Sequence, residues 1–222
     1  MDPGERVAVL AGTPADSRMG VRLLAAHGMA GMSFPLAEDP RRQTALQLMP
    51  PEVRQRAVQA ALDAAIQQGL RRVLVYCNSL ASVVDFPTLA RETGVQIVTP
   101  LEIYQTLAPH YRRLGVLAAN AQGLAGIERT LYAANSELEL LGSCILPGVE
   151  AVEAGETPEE LVERLRLPEL ARWFHQCGME ALLLGCTHFP YFKTELGERT
   201  SLPLLDPSEE MVHRLAAPAK TY

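Results

Sequence analysis

The chain has 222 residues, 48% of them apolar, and a formal net charge of −6; that composition supports a sizeable core in one large α/β domain or two small ones and excludes disorder. No apolar run is long enough to span a bilayer, and Met1–Arg6 sets no cluster of positive charge ahead of the first apolar stretch, so neither a membrane span nor a signal peptide is expected. The acidic balance argues against nucleic acid as a partner, because a basic face is the usual footprint of such binding, and four cysteines are too few for a disulfide scaffold in a chain this long.

Apolar runs alternate with helical patterns along the chain. Arg6–Ala11 reads as a first strand, Arg18–His27 as a helix closed by Gly28, and Met29–Phe34 as a second strand. Pro51–Gln68 is the clearest helix, with Pro51 at its start and Gly69 as its stop. Arg72–Tyr76 and Val95–Val98 are buried strands. Arg113–Ala118 and the helix Leu124–Asn135 begin a second round. Glu159–Gln176 is helical with a break at Pro168, and Ala181–Leu184 and Leu202–Leu205 are the last strands. Such alternation implies parallel sheets covered by helices.

The chain also echoes itself. Arg6-Val7-Ala8-Val9-Leu10-Ala11 is matched by Arg113-Leu114-Gly115-Val116-Leu117-Ala118, and Val73-Leu74-Val75-Tyr76-Cys77-Asn78-Ser79 by Leu182-Leu183-Leu184-Gly185-Cys186-Thr187-His188, at nearly one spacing. Two matches in register predict a duplicated α/β architecture. It consists of two pseudo-symmetric three-layer domains with mainly parallel sheets and an active site in the cleft between them. The first domain spans residues 1–99 plus 206–222 and carries Cys77; the second spans 100–205 and carries Cys186.

Ligands of open parallel sheets bind beyond the carboxyl ends of the strands, where both cysteines fall. Each precedes an expected helix start, with Ser79 as a capping residue on one side and Thr187, or the turn before Pro190, on the other. A helix N-terminus lowers a thiol's pKa from about 8.5 toward neutrality and seats a carboxylate. An activated thiol on each face of one carbon suits inversion next to a carboxylate, one removing the α-proton and the other returning one. Pyridoxal phosphate chemistry needs a Schiff-base lysine. The chain has two lysines, Lys193 and Lys220, neither in a suggestive setting, so no cofactor is expected.

The motifs around the cysteines resemble a known family. Cys77-Asn78-Ser79 is similar to the Cys-Asn-Thr of the aspartate/glutamate racemases, and Gly185-Cys186-Thr187-His188-Phe189-Pro190 to the Gly-Cys-Thr-His-Tyr-Pro of the glutamate racemases. Asp16-Ser17 resembles their Asp-Ser-Gly, with Arg18 in place of Gly. Ala11-Gly12-Thr13-Pro14 is closer to the Gly-Gly-Met-Gly-Pro of aspartate racemases, which brings Thr13 into the candidate site. The resemblance implies two similar α/β domains, cofactor-independent racemisation of an acidic amino acid, and a homodimer, while the want of a membrane span or signal peptide makes a cytoplasmic protein the expectation. It implies Cys77 and Cys186 as paired bases, Asp16 and His188 as their assistants, and Ser17, Asn78, Ser79 and Thr187 as substrate holders. Asp39-Pro40-Arg41-Arg42-Gln43-Thr44 resembles a Pro-Asp-Arg-Thr segment whose Arg grips the distal carboxylate. Arg41 or Arg42 could take that part, although a solvated loop pair is the plainer reading. Asn120 stands where a Thr-rich turn is usual.

Other chemistries use the same residue types. A metal site at Cys186 and His188 lacks a second ligand pair at metal spacing. A Cys–His hydrolase would leave the second cysteine unexplained. Hydantoin racemisation, maleate isomerisation and arylmalonate decarboxylation are alternative enzyme readings, and a non-catalytic amino-acid-binding protein is the alternative from another class. Cys144 and Cys177 read as core or helix-end residues, and Asp16 serves equally well as a turn or capping residue.

Overall fold

All five residues of the run Val7–Ala11 are buried, and in the computed structural model, which describes residues 6–217, they form β1 inside a parallel sheet. Met1–Glu5 and Lys220 lie outside the described residues. After β1 come α1 (Pro14–Ala26), β2 (Gly31–Pro35), α2 (Pro40–Leu48), α3 (Pro51–Gln67), β3 (Arg72–Tyr76), the single turn α4 (Asn78–Ala81), α5 (Phe86–Thr93) and β4 (Gln96–Val98). The helix α6 (Pro100–Leu107) leads into β5 (Arg113–Ala118), α7 (Ala121–Ala134), β6 (Glu139–Cys144), α8 (Leu146–Ala154), α9 (Pro158–Arg164), α10 (Leu167–Gln176) and β7 (Ala181–Gly185). A 3-10 turn (Phe189–Phe192), α11 (Lys193–Gly197), β8 (Leu204–Leu205) and α12 (Ser208–Ala216) follow.

The chain divides into two compact units, one running to Ile103 and taking up the chain again from Ser208, the other Tyr104–Pro207. The first holds a four-stranded sheet in the order β2-β1-β3-β4, the second one in the order β6-β5-β7-β8, and every pairing in both is parallel. The internal echo therefore corresponds to one topology used twice, with β1 equivalent to β5 and β3 to β7. This is the two-domain α/β fold that the alternation predicts.

In the first unit, side chains alternate across the sheet as strand geometry requires. Ala8, Leu10, Val73 and Val75 pack with Val58, Leu62 and Ala65 of α3 and with Phe86 and Leu89 of α5. Val7, Val9, Leu74 and Tyr76 face the other way, onto Leu24 of α1 and onto Met211, Val212 and Leu215 of α12. Val58, Leu62 and Ala65 recur at helical spacing, which is why α3 has one buried stripe. Gly69, at φ +79°, ends that helix with its successor Leu70 bonded back to the Ala65 carbonyl. In the second unit Leu117, Leu182 and Leu184 pack with Val149, Leu161, Leu167, Phe174, Phe189 and Phe192.

Several elements depart from the sequence expectation. The first helix starts at Pro14, because Thr13 caps it by accepting from the Asp16 N–H. Arg41 and Arg42 lie in a helix, α2, capped by Asp39 with Pro40 in its first turn, and are not loop residues. The break between α9 and α10 falls at Arg166, at φ 53°, and Pro168 sits in the first turn of α10, where proline is tolerated. The edge strand β6 and the helix α8 are additional.

Candidate functional site

In the first unit the parallel register pairs Ala11 with Tyr76, so the chain leaves β1 and β3 side by side. From β1 it runs through Gly12 and the capping Thr13 into α1. The Asp16 carboxylate, 1% exposed, accepts from the Gly12 N–H at 3.3 Å. Ser17 is fully buried, with its hydroxyl hydrogen-bonded to that of Ser33 on β2. From β3 the chain passes to Cys77, which caps α4 in an extended conformation, and on to Asn78 and Ser79, all three buried. Ser79 is thus inside the single-turn helix and not its cap. Polar side chains, more than a four-residue helix dipole, define the surroundings of the thiol.

Two of those side chains come from α2. Gln43 Nε2 donates to Cys77 Sγ at 2.9 Å and lies 3.4 Å from Ser79 Oγ. One turn later, the buried Gln47 donates from Nε2 to Ser79 Oγ at 2.8 Å. Ser79 Oγ lies 3.5 Å from Cys77 Sγ. A Cβ built on Gly12 would run into the Gln43 amide, so glycine leaves the space that this side chain occupies.

The second unit repeats the placement with different partners. Ala118 of β5 pairs with Gly185 of β7. Beyond β5, half-buried Asn120 caps α7 by accepting from the Gly123 N–H at 3.0 Å. Beyond β7 come Cys186, Thr187 and His188, all buried. The following element is the 3-10 turn with His188 at its start, so neither Thr187 nor the turn opens a long helix. His188 Nδ1 faces Cys186 Sγ at 3.7 Å, and Nε2 lies 2.9 Å from Glu153 Oε1 of α8. With Nε2–H donated to the carboxylate, Nδ1 is left as an acceptor toward the thiol.

The remaining candidates stand elsewhere. Arg42 pairs with Glu38 at 3.3 Å and Asp39 at 3.7 Å on the surface, and Arg41 is exposed. Lys193 pairs with Asp206 at 3.8 Å. Cys144 and Cys177 are exposed, at the ends of β6 and α10, so neither is a core residue. Partial burial and the neighbouring Glu128 carboxylate push the Cys144 thiol up from its ordinary range. Among the described residues no three His, Cys, Asp or Glu side chains converge in a way that could hold a metal ion.

No sequence-family model matches the chain. A glutamate racemase of Limosilactobacillus reuteri is 27% identical over 154 residues, covering 67% of this chain and 57% of that protein. The chain thus matches little more than half the length of this curated relative. Among solved structures, the glutamate racemase of Francisella tularensis in complex with D-glutamate superposes with a TM-score of 0.76 at 16% identity, over 96% of this chain and 80% of that one. An aspartate racemase homologue from Pyrococcus horikoshii gives 0.68 at 16% identity, over 96% and 97%. In sequence the chain is similar to glutamate racemases, and in fold to glutamate and aspartate racemases. It carries its cysteine motifs at the ends of equivalent strands in two units of one topology.

Three polar residues beside the thiols escape a reading of motifs. Glu153 is one of two glutamates in the helix α8 and lies 35 residues from His188, so only the fold brings them together. Gln43 and Gln47 share one face of α2 at i,i+4 spacing, a signal obscured when the segment is taken as a loop.

Proposed function

We propose that this chain interconverts the enantiomers of an acidic amino acid, aspartate or glutamate, by a cofactor-independent two-base mechanism. The observation that carries this reading is the repeated placement of a buried cysteine directly after β3 and after β7, each within reach of its own polar partner. The glutamate racemase match and the D-glutamate held by the Francisella neighbour support the choice of substrate.

In one direction the Cys77 thiolate takes the α-proton, and the electron pair of the broken C–H bond delocalises into the adjacent carboxyl group. The Cys186 thiol then donates its proton to the opposite face, leaving Cys77 as thiol and Cys186 as thiolate, the form that runs the reverse direction. His188 accepts the Cys186 proton when that thiolate must be regenerated, and Glu153 stabilises the resulting imidazolium. Asp16 is the corresponding assistant on the Cys77 side, through its buried carboxylate. Thr13, Ser17, Asn78, Ser79, Asn120 and Thr187 hold the amino and carboxylate groups. Four free thiols fit a reducing compartment, so the reading includes a cytoplasmic protein, with the homodimer that the family resemblance implies.

Circular dichroism of enantiopure aspartate and glutamate follows the reaction directly. Each general acid–base group contributes roughly 10²–10⁴-fold, so Cys77→Ser and Cys186→Ser should each lose racemisation by at least about 100-fold. Full turnover by either variant would sink the two-thiol mechanism, and sedimentation at micromolar concentration tests the dimer.

A further inference from the structure

The two cysteines are served by different chemistry. Cys186 faces an imidazole backed by a carboxylate, a pair that can take up and release protons. On the Cys77 side, α2 contributes two carboxamides, which donate hydrogen bonds without changing charge. We propose that Gln43 and Gln47 are positioning residues that hold Cys77 as its thiolate, an inference that rests on the reading of Cys77 as a base.

Three distances carry it. Gln43 Nε2 donates straight to the sulfur at 2.9 Å, close for an amide N–H on sulfur and strongest when the sulfur is negatively charged. Gln47 Nε2 donates to Ser79 Oγ at 2.8 Å, with Gln43 Nε2 a second, longer donor to the same oxygen at 3.4 Å. An oxygen that receives donors on its lone pairs directs its own hydrogen outward. Cys77 Sγ, at 3.5 Å, is positioned to accept it. The sulfur thus gains a direct amide donor and a hydroxyl donor whose orientation is set from behind. A hydrogen bond to the charged form of a group favours that form.

The scaffold keeps these amides in place. Gln43 and Gln47 are one helical turn apart, and Gln47 is 2% exposed. Arg54 of α3 donates to the Gln47 carbonyl at 2.9 Å, fixing the end of α2. Gly12 clears the room that the Gln43 amide fills. A hydrocarbon side chain at position 43 or 47 would fit the same space and stabilise no thiolate.

The test is the pH dependence of alkylation by iodoacetamide of each cysteine in the full chain, read by mass spectrometry of its peptide. Only the thiolate reacts, so the midpoint reports the ionisation of Cys77 whether or not the substrate is known. Loss of a hydrogen bond to a charged group corresponds to roughly one to two pH units. Gln43→Met, which keeps the length and loses the donor, should raise the Cys77 midpoint by about that much and leave the Cys186 midpoint in place. Gln43→Glu should raise it further by placing a like charge on the sulfur, and Gln47→Met should raise it less, since it acts through Ser79. In the racemase assay the acid limb of kcat/KM should move upward with the same variants. An unchanged Cys77 midpoint in folded Gln43→Met and Gln43→Glu overturns the inference. A shifted midpoint in a protein that exchanges no amino-acid α-proton upholds the amide role and overturns the racemase reading instead.

Discussion

Replacing Glu153 with Gln keeps the shape of the side chain and an oxygen that can accept from His188 Nε2–H, and removes only the charge. His188 is 2% exposed and the Glu153 side chain 15%, with 2.9 Å between the two atoms, so solvent screens the pair weakly. Coulomb attraction at about 4 Å and an effective dielectric near 20 sets an upper bound of about 4 kcal/mol. A hydrogen bond to a charged group is worth about 1.5–3 kcal/mol. Taking about 2 kcal/mol as the stabilisation lost when the imidazolium forms, kcat should fall roughly thirty-fold. KM should change little, because Glu153 acts through His188 and not on the substrate. The assay is the initial rate of racemisation in both directions by circular dichroism, with a thermal melt to confirm folding. Since the two enantiomers are equal in free energy, kcat/KM must fall equally in both directions, which checks the data internally. In a His188→Asn background, Glu153→Gln should cost less than about two-fold more, because the two residues act as one unit. A folded Glu153→Gln protein with kcat within two-fold of the parent would refute the Glu153–His188–Cys186 relay.

Three further predictions concern other parts of the molecule. Asp85 caps α5 by accepting from the Thr88 N–H and hydroxyl, which hold its carboxyl below the ordinary value of 3.8; Asp85→Ala should cost about 1 kcal/mol at pH 7 by urea denaturation, a difference present above pH 3.8 and lost as pH falls through the lower folded-state value, and a difference that instead grows on acidification contradicts this. A Cβ on Gly115 of β5 would come to 2.8 Å of Phe174 Cδ1 and 3.1 Å of Leu182 Cδ1, so Gly115→Ala should lose about 1–3 kcal/mol through overpacking; an unchanged urea midpoint would show that the Phe174 ring gives way freely. With its thiol pushed up by burial and Glu128, Cys144 should alkylate slowly at neutral pH despite its exposure and faster in Glu128→Gln; equal rates in the two proteins would remove Glu128 as a cause.

The positions of the two cysteines are legible because each follows an apolar run, Val73–Tyr76 or Ala181–Leu184, that is buried in a strand, and a buried parallel strand leaves that mark whatever surrounds it. The duplication is legible for the same reason. The strand β6 is not: at the sheet edge its residues Glu139–Cys144 are only partly buried, so they show neither an apolar run nor strict alternation. The start of α1 is hidden by Gly12-Thr13-Pro14, a turn-like sequence that acts here as a cap followed by a first-turn proline. For α2 the Asp39-Pro40 start is visible, but the paired arginines draw attention to charge, while the Gln43 amide beside them makes the contact with sulfur. Glu153 illustrates the limit: its meaning comes from packing α8 beside the turn after β7, and no local pattern encodes a contact 35 residues away.

Two thiols acting on opposite faces of one carbon, as proposed, leave a signature in where isotope is placed. Enantiopure aspartate or glutamate is incubated with the protein in D₂O and sampled at low conversion by proton NMR after chiral separation. A two-base mechanism predicts solvent deuterium at the α-carbon of the newly formed enantiomer, while the unreacted enantiomer retains its proton, with the reaction lost in Cys77→Ser and Cys186→Ser. Deuterium entering both enantiomers at equal rates from the start, or exchange that persists undiminished in both serine variants, would contradict the account.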